Sequence, residues 1–304
     1  MGVSIYFWIG FHVFVFIMLA FDLGVFHKHA HTIPVKEAVT WTFVWVTLAM
    51  LFCGFVYFEF GKTKALEFLT GYVIEYSLSV DNIFVFILIF SYFAVKSQYQ
   101  HRILFWGIIG ALVMRAIFIF AGVALINRFH WIVIIFGGFL VVTGIKMLFH
   151  KEAEVDPEKN IVVRFFRKIL PVSKTIHGEK LFIIQNNKLY ATPLFLVLLV
   201  IESSDLIFAV DSIPAILAIS KSTFIVYTSN IFAILGLRSL YFAIAGVMDY
   251  FRFLKVGLAF VLTFVGAKML LSFLNIEIPI IYSLGIIISI LLISILASVV
   301  IKKT

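Results

Sequence analysis

ATPLFLVLLVIESSDLIFAVDSIPAILAIS, residues 191–220, is the stretch on which the fold turns. It is long and apolar enough to cross a bilayer, which needs about 20 such residues, yet Glu202, Asp205 and Asp211 stand inside it. A charge at the centre of a membrane helix costs on the order of 2.5–3.5 kcal/mol on insertion scales, so acids kept there mark an ion or proton site or a buried ion network. Pro214 removes a backbone donor, and the run Glu202, Ser203, Ser204, Asp205 offers competing side-chain hydrogen bonds. The expectation is a helix unwound near 210–213, whose freed carbonyls join the carboxylates as oxygen ligands.

The rest of the chain has the same character. Of 304 residues, 63% are apolar and 13% charged, against roughly 45–50% and 25% in an average soluble chain. Nine stretches of spanning length lie near 3–22, 38–58, 66–94, 103–126, 131–149, 191–218, 223–248, 254–273 and 279–300. The fold class is therefore an all-α polytopic membrane protein, with residues 1–304 forming a single transmembrane domain. Only 150–190 has the composition of an aqueous segment. The formal charge of +8 has no basic domain to carry it, which sets aside a nucleic-acid partner and leaves membrane-surface asymmetry. The single cysteine, Cys53, excludes an internal disulfide and a thiolate metal site. No basic residue precedes the first stretch, and Tyr6 stands where a myristoylation motif wants Ser or Thr, so the first helix is expected to remain and no lipid anchor is expected.

With nine spans, the segments between them alternate between two sides. The N-terminal side carries four basic residues, Lys62, Lys64, Arg128 and Lys221; the other carries sixteen, eight of them within 150–190. The positive-inside rule puts the N-terminus outside and the long loop and C-terminus in the cytoplasm of a cell that holds this chain as a multi-pass protein of its inner, or plasma, membrane. Within the loop, an acidic start at 152–160 gives way to NIVVRFFRKIL (160–170), which has the pattern of a short interfacial helix. LFIIQNNKLYAT (181–192) then has the pattern of a hairpin around Asn186–Asn187. The loop reads as a linker resting on lipid headgroups or as a docking place for a cytoplasmic partner.

Self-comparison reveals a repeat. Glu75 stands before Asp81-Asn82-Ile83 in the third stretch, as Asp205 stands before Asp211-Ser212-Ile213 in the sixth. Arg115 precedes Gly122, and Arg238 precedes Gly246. The fifth stretch ends in Gly144-Ile145-Lys146-Met147-Leu148 and the eighth in Gly266-Ala267-Lys268-Met269-Leu270. Three matches in order define one unit over 66–149 and another over 191–273. Each unit has three spans, so the second must cross in the opposite sense. An inverted repeat of this kind is common in secondary transporters, with the substrate site near the midplane where the copies meet.

Five carboxylates fall well inside the apolar stretches: Glu75, Asp81, Glu202, Asp205 and Asp211. Uncompensated, they would cost roughly 12–17 kcal/mol. Arg115 and Arg238 are the available counter-ions or gating partners, leaving an excess of negative charge that suits a divalent cation, protons or both. With Asn82 and Ser212 nearby the ligand set is all oxygen, which fits Mg²⁺, Ca²⁺ or Mn²⁺ better than copper or zinc. His27, His29 and His31 form a second candidate metal cluster on a loop that is otherwise read as solvated. Lys146 and Lys268 near helix ends are expected to snorkel, and Asp22 to sit at the interface. His12 is the one intramembrane imidazole.

FDLGVF (21–26), EYSLSVDNIFVF (75–86) and the stretch 191–220 resemble the TerC family of integral membrane proteins, and the likeness extends over nearly the whole chain. The resemblance implies manganese export, links to tellurite resistance, and kinship with LysE-type transporters built on inverted three-helix repeats. It carries the family's acidic pattern onto Glu75, Asp81, Asn82, Glu202, Asp205, Asp211 and Ser212. Mn²⁺ as cargo rests on that resemblance; charge and ligand type alone specify a hard divalent cation, with Ca²⁺ left open. The leading expectation is export of the cation by alternating access, with H⁺ as the coupling ion. The alternative is a membrane scaffold of a metal- or tellurite-stress complex, its acids structural. No catalytic residue and no bound cofactor are expected, since neither a nucleophile nor a phosphate-binding loop accompanies the acids.

Overall fold

In lipid the backbone has no hydrogen-bond partner but itself, so long runs of Leu, Ile, Val and Phe resolve into helices. The structure is a computed structural model. It describes residues 4–24, 34–129, 131–149, 164–166, 168, 170–173, 178–185, 188–245, 253–274, 276 and 278–301, with backbone only for 22–24, Asp81 and Asp211. In chain order the elements are α1 (Ile5–Gly24), α2 (Val35–Phe60), α3 (Lys62–Tyr92), α4 (Ser97–Arg128), α5 (Ile132–Phe149), β1 (Phe182–Gln185), β2 (Lys188–Ala191), α6 (Pro193–Leu217), α7 (Thr223–Leu235), α8 (Leu237–Ala245), α9 (Leu254–Phe273) and α10 (Ile280–Val300). Seven of these, α2 to α6 together with α9 and α10, are long and apolar enough to cross a membrane, and the pair α7–α8 makes eight if it is one span. α1 adds a shorter apolar run, Ile5–Phe21. The architecture is an all-α polytopic membrane protein.

α7 and α8 form the axis. Every residue of Phe224–Leu235 and of Leu237–Ile244 is buried, as befits helices that are apolar all round. α3, α4 and α2 pack around this axis, and α6 packs against both α3 and α4. Large apolar side chains such as Phe43, Leu51, Phe58 and Leu296 face outward, which in a bilayer is contact with acyl chains.

The helix break is not where the sequence suggested. α6 is helical from Pro193 to Leu217 and shows no unwinding at 210–213. Pro214 removes one donor close to the C-terminal end, and the Ala218 amide still donates to the Pro214 carbonyl at 3.0 Å, so the last turn closes. The break falls in the following helix pair instead: α7 and α8 meet at Gly236 with a bend of 40°. Pro193 opens α6 at the first-turn position where a missing N–H costs nothing.

β1 and β2 pair antiparallel, Phe182 opposite Ala191 and Gln185 opposite Lys188, giving the hairpin expected around Asn186–Asn187. Thr192, between β2 and α6, donates its hydroxyl to the Lys180 carbonyl at 2.7 Å. Arg102 in the first turns of α4 pairs with Glu179 at 3.0 Å. These contacts define the hairpin end of the bundle. Of the interfacial helix expected at 160–170, Arg164–Phe166, Lys168 and Leu170 are described; Arg164–Phe166 and Lys168 are helical and Leu170 lies in a bend. The acidic start of the loop and the His27, His29, His31 cluster lie outside the described residues.

α5 and α9, the helices carrying the two GxKML motifs, pack more extensively on each other than any other pair of helices. The crossing is close because it is lined by glycine. A Cβ on Gly266 would lie 2.7 Å from the Gly137 carbonyl oxygen and 2.8 Å from the Val141 nitrogen; one on Gly144 would lie 2.7 Å from the Ala259 carbonyl oxygen. Small residues let membrane helices gain van der Waals contact where no hydrophobic force joins them. Gly266→Val should therefore overpack the crossing and destabilise the fold by about 1–3 kcal/mol. Gly138→Ala, at a position with nothing within 4 Å, should hardly move the melting temperature in detergent. Equal melting of the two variants would contradict a tight crossing.

Candidate functional site

The centre of the site is Arg115 on α4, 1% exposed. Its Nε–H donates to Asp205 Oδ2 at 3.3 Å, Nη2 donates to Asp205 Oδ1 at 3.0 Å, and Nη1 donates to Ser212 Oγ at 3.4 Å. Nη1 also pairs with Glu75 Oε1. Asp205 and Ser212 are seven residues apart on α6, two turns along one stripe, whereas Glu75 comes from α3. A planar guanidinium with five donors is the group that can hold a carboxylate by two bonds and still reach two other helices. Glu75 is fully buried, and its second oxygen, Oε2, has no hydrogen-bond partner among the described residues.

One turn toward the hairpin end on α6, Glu202 stands differently. Among the described residues it makes neither an ion pair nor a hydrogen bond. Its carboxylate lies against α4 at Gly110, where a Cβ would overlap it, and close to Gly107. A cavity of about 10 Å³ opens between Glu202, Asp205, Arg238, Gly107, Ile108 and Ala111, on the scale of one water molecule. Arg238 enters from the start of α8, just past the break at Gly236, and its Nη1 lies 2.8 Å from His101 Nε2 on the first turns of α4.

The structure thus brings together Glu75, Asp205, Ser212 and Arg115, with Glu202 and Arg238 at the adjoining cavity. Asn82 is buried two turns beyond Glu75 on α3. For Asp81 and Asp211 only the backbone is described, helical in both cases. Convergence does not require the unwinding expected from the sequence, because the length of the Arg115 side chain spans the gap between continuous helices. Among the described residues no three of His, Cys, Asp or Glu gather as a metal group, since Arg115 stands between the carboxylates. Gly107, Gly110 and His101 were not singled out by the sequence reading; the small pair three apart on α4 was the available signal for the first two.

The remaining candidates have ordinary surroundings. His12 is held between the Trp8 carbonyl at 2.8 Å and the Tyr227 hydroxyl at 3.0 Å, which makes it a packing contact of α1 on α7. Lys146 is exposed as expected, but Lys268 is buried rather than snorkelling. At the end of the bundle away from the hairpin, Glu67 pairs with Lys64 at 2.7 Å and accepts a hydrogen bond from Ser220, tying α3 to the α6–α7 connection.

Residues 60–304 match the integral membrane protein TerC family. A membrane protein of Myxococcus xanthus without an assigned role is 53% identical over 86% of this chain and 82% of its own length. The Escherichia coli K12 protein Alx, named as a candidate membrane-bound redox modulator, is 49% identical over 93% of this chain and 91% of its own. A membrane protein of Rickettsia bellii, likewise without an assigned role, is 41% identical over 97% and 98%. No solved structure matches the chain.

The two acids of α6 should separate in stability measurements. Asp205→Ala strips Arg115 of its two-bond partner inside a medium that cannot hydrate it, and breaking such a buried pair costs about 3–5 kcal/mol. Glu202→Gln breaks no ion pair or hydrogen bond among the described residues and should cost no stability. Melting in detergent without divalent cations checks the difference. Comparable losses would mean that Glu202 is held as firmly as Asp205.

Proposed function

This chain belongs to the TerC family of integral membrane proteins, and from that premise we propose that it exports a hard divalent cation, Mn²⁺, through a midplane carboxylate site by alternating access. One observation carries the reading: Glu75 and Asp205, from the corresponding motifs of two sequence repeats, meet on one buried arginine beside a cavity that Glu202 borders. A buried carboxylate set drawn from paired three-helix units is the arrangement secondary transporters use.

In this reading the chain crosses the inner, or plasma, membrane nine times, with α1 and the α7–α8 pair each counted as a span. The N-terminus is outside, and the hairpin and C-terminus are in the cytoplasm. Residues 66–149 and 191–273 are the inverted units, and the close pairing of α5 with α9, their equivalent third helices, supports that relation. The cation enters from the cytoplasmic, hairpin end at Glu202 and Asp205. Asp81, Asn82, Asp211, Ser212 and Glu75 complete an oxygen ligand set, and Arg238 with His101 flanks the entrance. Oxygen ligands favour Mn²⁺, Mg²⁺ or Ca²⁺ over softer metals; the choice of Mn²⁺ follows the family resemblance. Protons exchange for the cation at carboxylates of this set. The chain works as a transporter, with no catalytic step and no resident cofactor. The redox role in the name of its Alx relatives finds no thiol pair here, since Cys53 is the single cysteine and its Sγ faces the Ala65 carbonyl at 3.5 Å.

Manganese content measured in cells that lack their own exporters should fall when the wild type is expressed. Asp81→Asn and Asp211→Asn should abolish that fall while leaving insertion intact, because the amide keeps the volume and loses the charge. Mn²⁺ should raise the melting temperature of the purified wild type and leave both variants unmoved. Unchanged cellular Mn²⁺ with well-inserted protein would refute the transport reading, and an undiminished Mn²⁺-dependent shift in both variants would remove these aspartates from the site. Substituting Ca²⁺ for Mn²⁺ in the same melts measures the selectivity.

A further inference from the structure

Arg115 holds the positions that a cation would need. Its donors reach Asp205 through both carboxylate oxygens, Ser212 through Oγ and Glu75 through Oε1. These are ligand candidates from both repeats. We propose that Arg115 is a tethered counter-cation that takes the place of the transported ion, so that the ion-free carrier moves between its two faces with Glu75 and Asp205 both paired to it and one of their two charges offset. The inference rests on the transport reading and adds how the carrier returns.

Both oxygens of Asp205 are engaged by Nε and Nη2, so a divalent cation bound there displaces Arg115, and like charges in a medium of low dielectric oppose joint occupancy. Without either cation, two carboxylates, 0% and 3% exposed, would be uncompensated at the level where charge is least tolerated. A proton could neutralise them but could also leave. Arginine keeps its proton in proteins and is anchored to α4, so its charge moves with the carrier.

The surroundings give the exchange a direction. The cavity lies against Ala111, one turn from Arg115 on α4, and against Gly107. Glu202, which has no ion pair or hydrogen bond among the described residues, borders that cavity together with Asp205 and Arg238. An ion arriving there meets Glu202 first and approaches Asp205 from a cavity that Arg115 does not line. It takes over Asp205 while Arg115 still holds Glu75, so no step leaves both carboxylates bare. Glu202 is the landing residue and Arg115 the group that withdraws.

The test uses the full chain in liposomes loaded with Mn²⁺, with two readouts: net efflux into Mn²⁺-free medium, and exchange of radioactive Mn²⁺ against equal Mn²⁺ outside. Only net efflux requires the empty carrier to return. The wild type should perform both. Arg115→Gln should retain exchange at a reduced rate while net efflux falls by roughly a hundredfold, the ratio that one uncompensated midplane charge sets. Arg115→Lys keeps the charge without the planar fork and should keep both modes, more slowly. Net efflux and exchange reduced in the same proportion by Arg115→Gln would overturn the proposal, as would loss of both by a folded variant. Exchange without net efflux in Arg115→Lys would overturn it too, a result that stands even if Arg115→Gln fails to fold. Wild-type vesicles that move Mn²⁺ in neither mode would sink the transport reading and this inference together, whereas failure confined to the variants sinks the inference alone.

Discussion

A guanidinium that water cannot reach is stable only where opposite charge touches it, and the arrangement of α3, α4 and α6 answers that constraint on Arg115. Removing charges from water is expensive, and their mutual attraction offsets this only where the geometry is good and the remaining donors are satisfied. Here one side chain meets a carboxylate from α3, both oxygens of a carboxylate from α6, and a hydroxyl two turns further along α6. The three helices are thereby fixed in rotation as well as in distance. A turn of α6 about its axis would carry Asp205 away from Arg115 and leave two charges bare in a low-dielectric interior.

Packing serves the same centre. α4 comes close enough to α6 for the Glu202 carboxylate because Gly107 and Gly110 present no side chain there. α7 and α8, buried on every side, supply the wall behind α3 and α4, and their break at Gly236 sets Leu237 and Arg238 at the edge of the cavity. Away from the site, α5 and α9 approach at Gly137, Gly144 and Gly266 to backbone contact. In lipid, where apolar burial between helices gains little, this dispersion contact and the Arg115 ion pairs are the terms that hold one arrangement over others. At the far end, the tie from Glu67 to Ser220 joins α3 to the α6–α7 connection.

Charge compensation also explains why the described acids do not form a bare cluster. Glu75 and Asp205 are each held by Arg115, Glu202 stands alone beside the cavity, and Arg238 faces it from the start of α8. One arginine thus holds two acids, and a third, half-buried acid stands beside the second arginine. Because Arg115 on α4 bridges α3 and α6, displacing it would loosen the contact among these helices.

Membrane residence, the helical class, the hairpin around Asn186–Asn187, the two GxKML helices and the intramembrane acids and arginines were all legible in the sequence, because each depends on local quantities: apolar run length, turn chemistry, and the cost of a charge in lipid. What the sequence could not decide was which acid meets which arginine. Glu75, Arg115 and Asp205 are separated by long intervals of chain, and their meeting depends on the rotation and depth of three helices, which only packing sets. The same limit misplaced the helix break. Pro214 and the serines of α6 signalled local weakness, yet the surrounding helices kept α6 straight, while α7 bends at a glycine whose role appears only against Trp45 and Tyr76. Glu202 gives the clearest case: by spacing it is the companion of Asp205, and only the glycine face of α4 makes it the acid with room beside it.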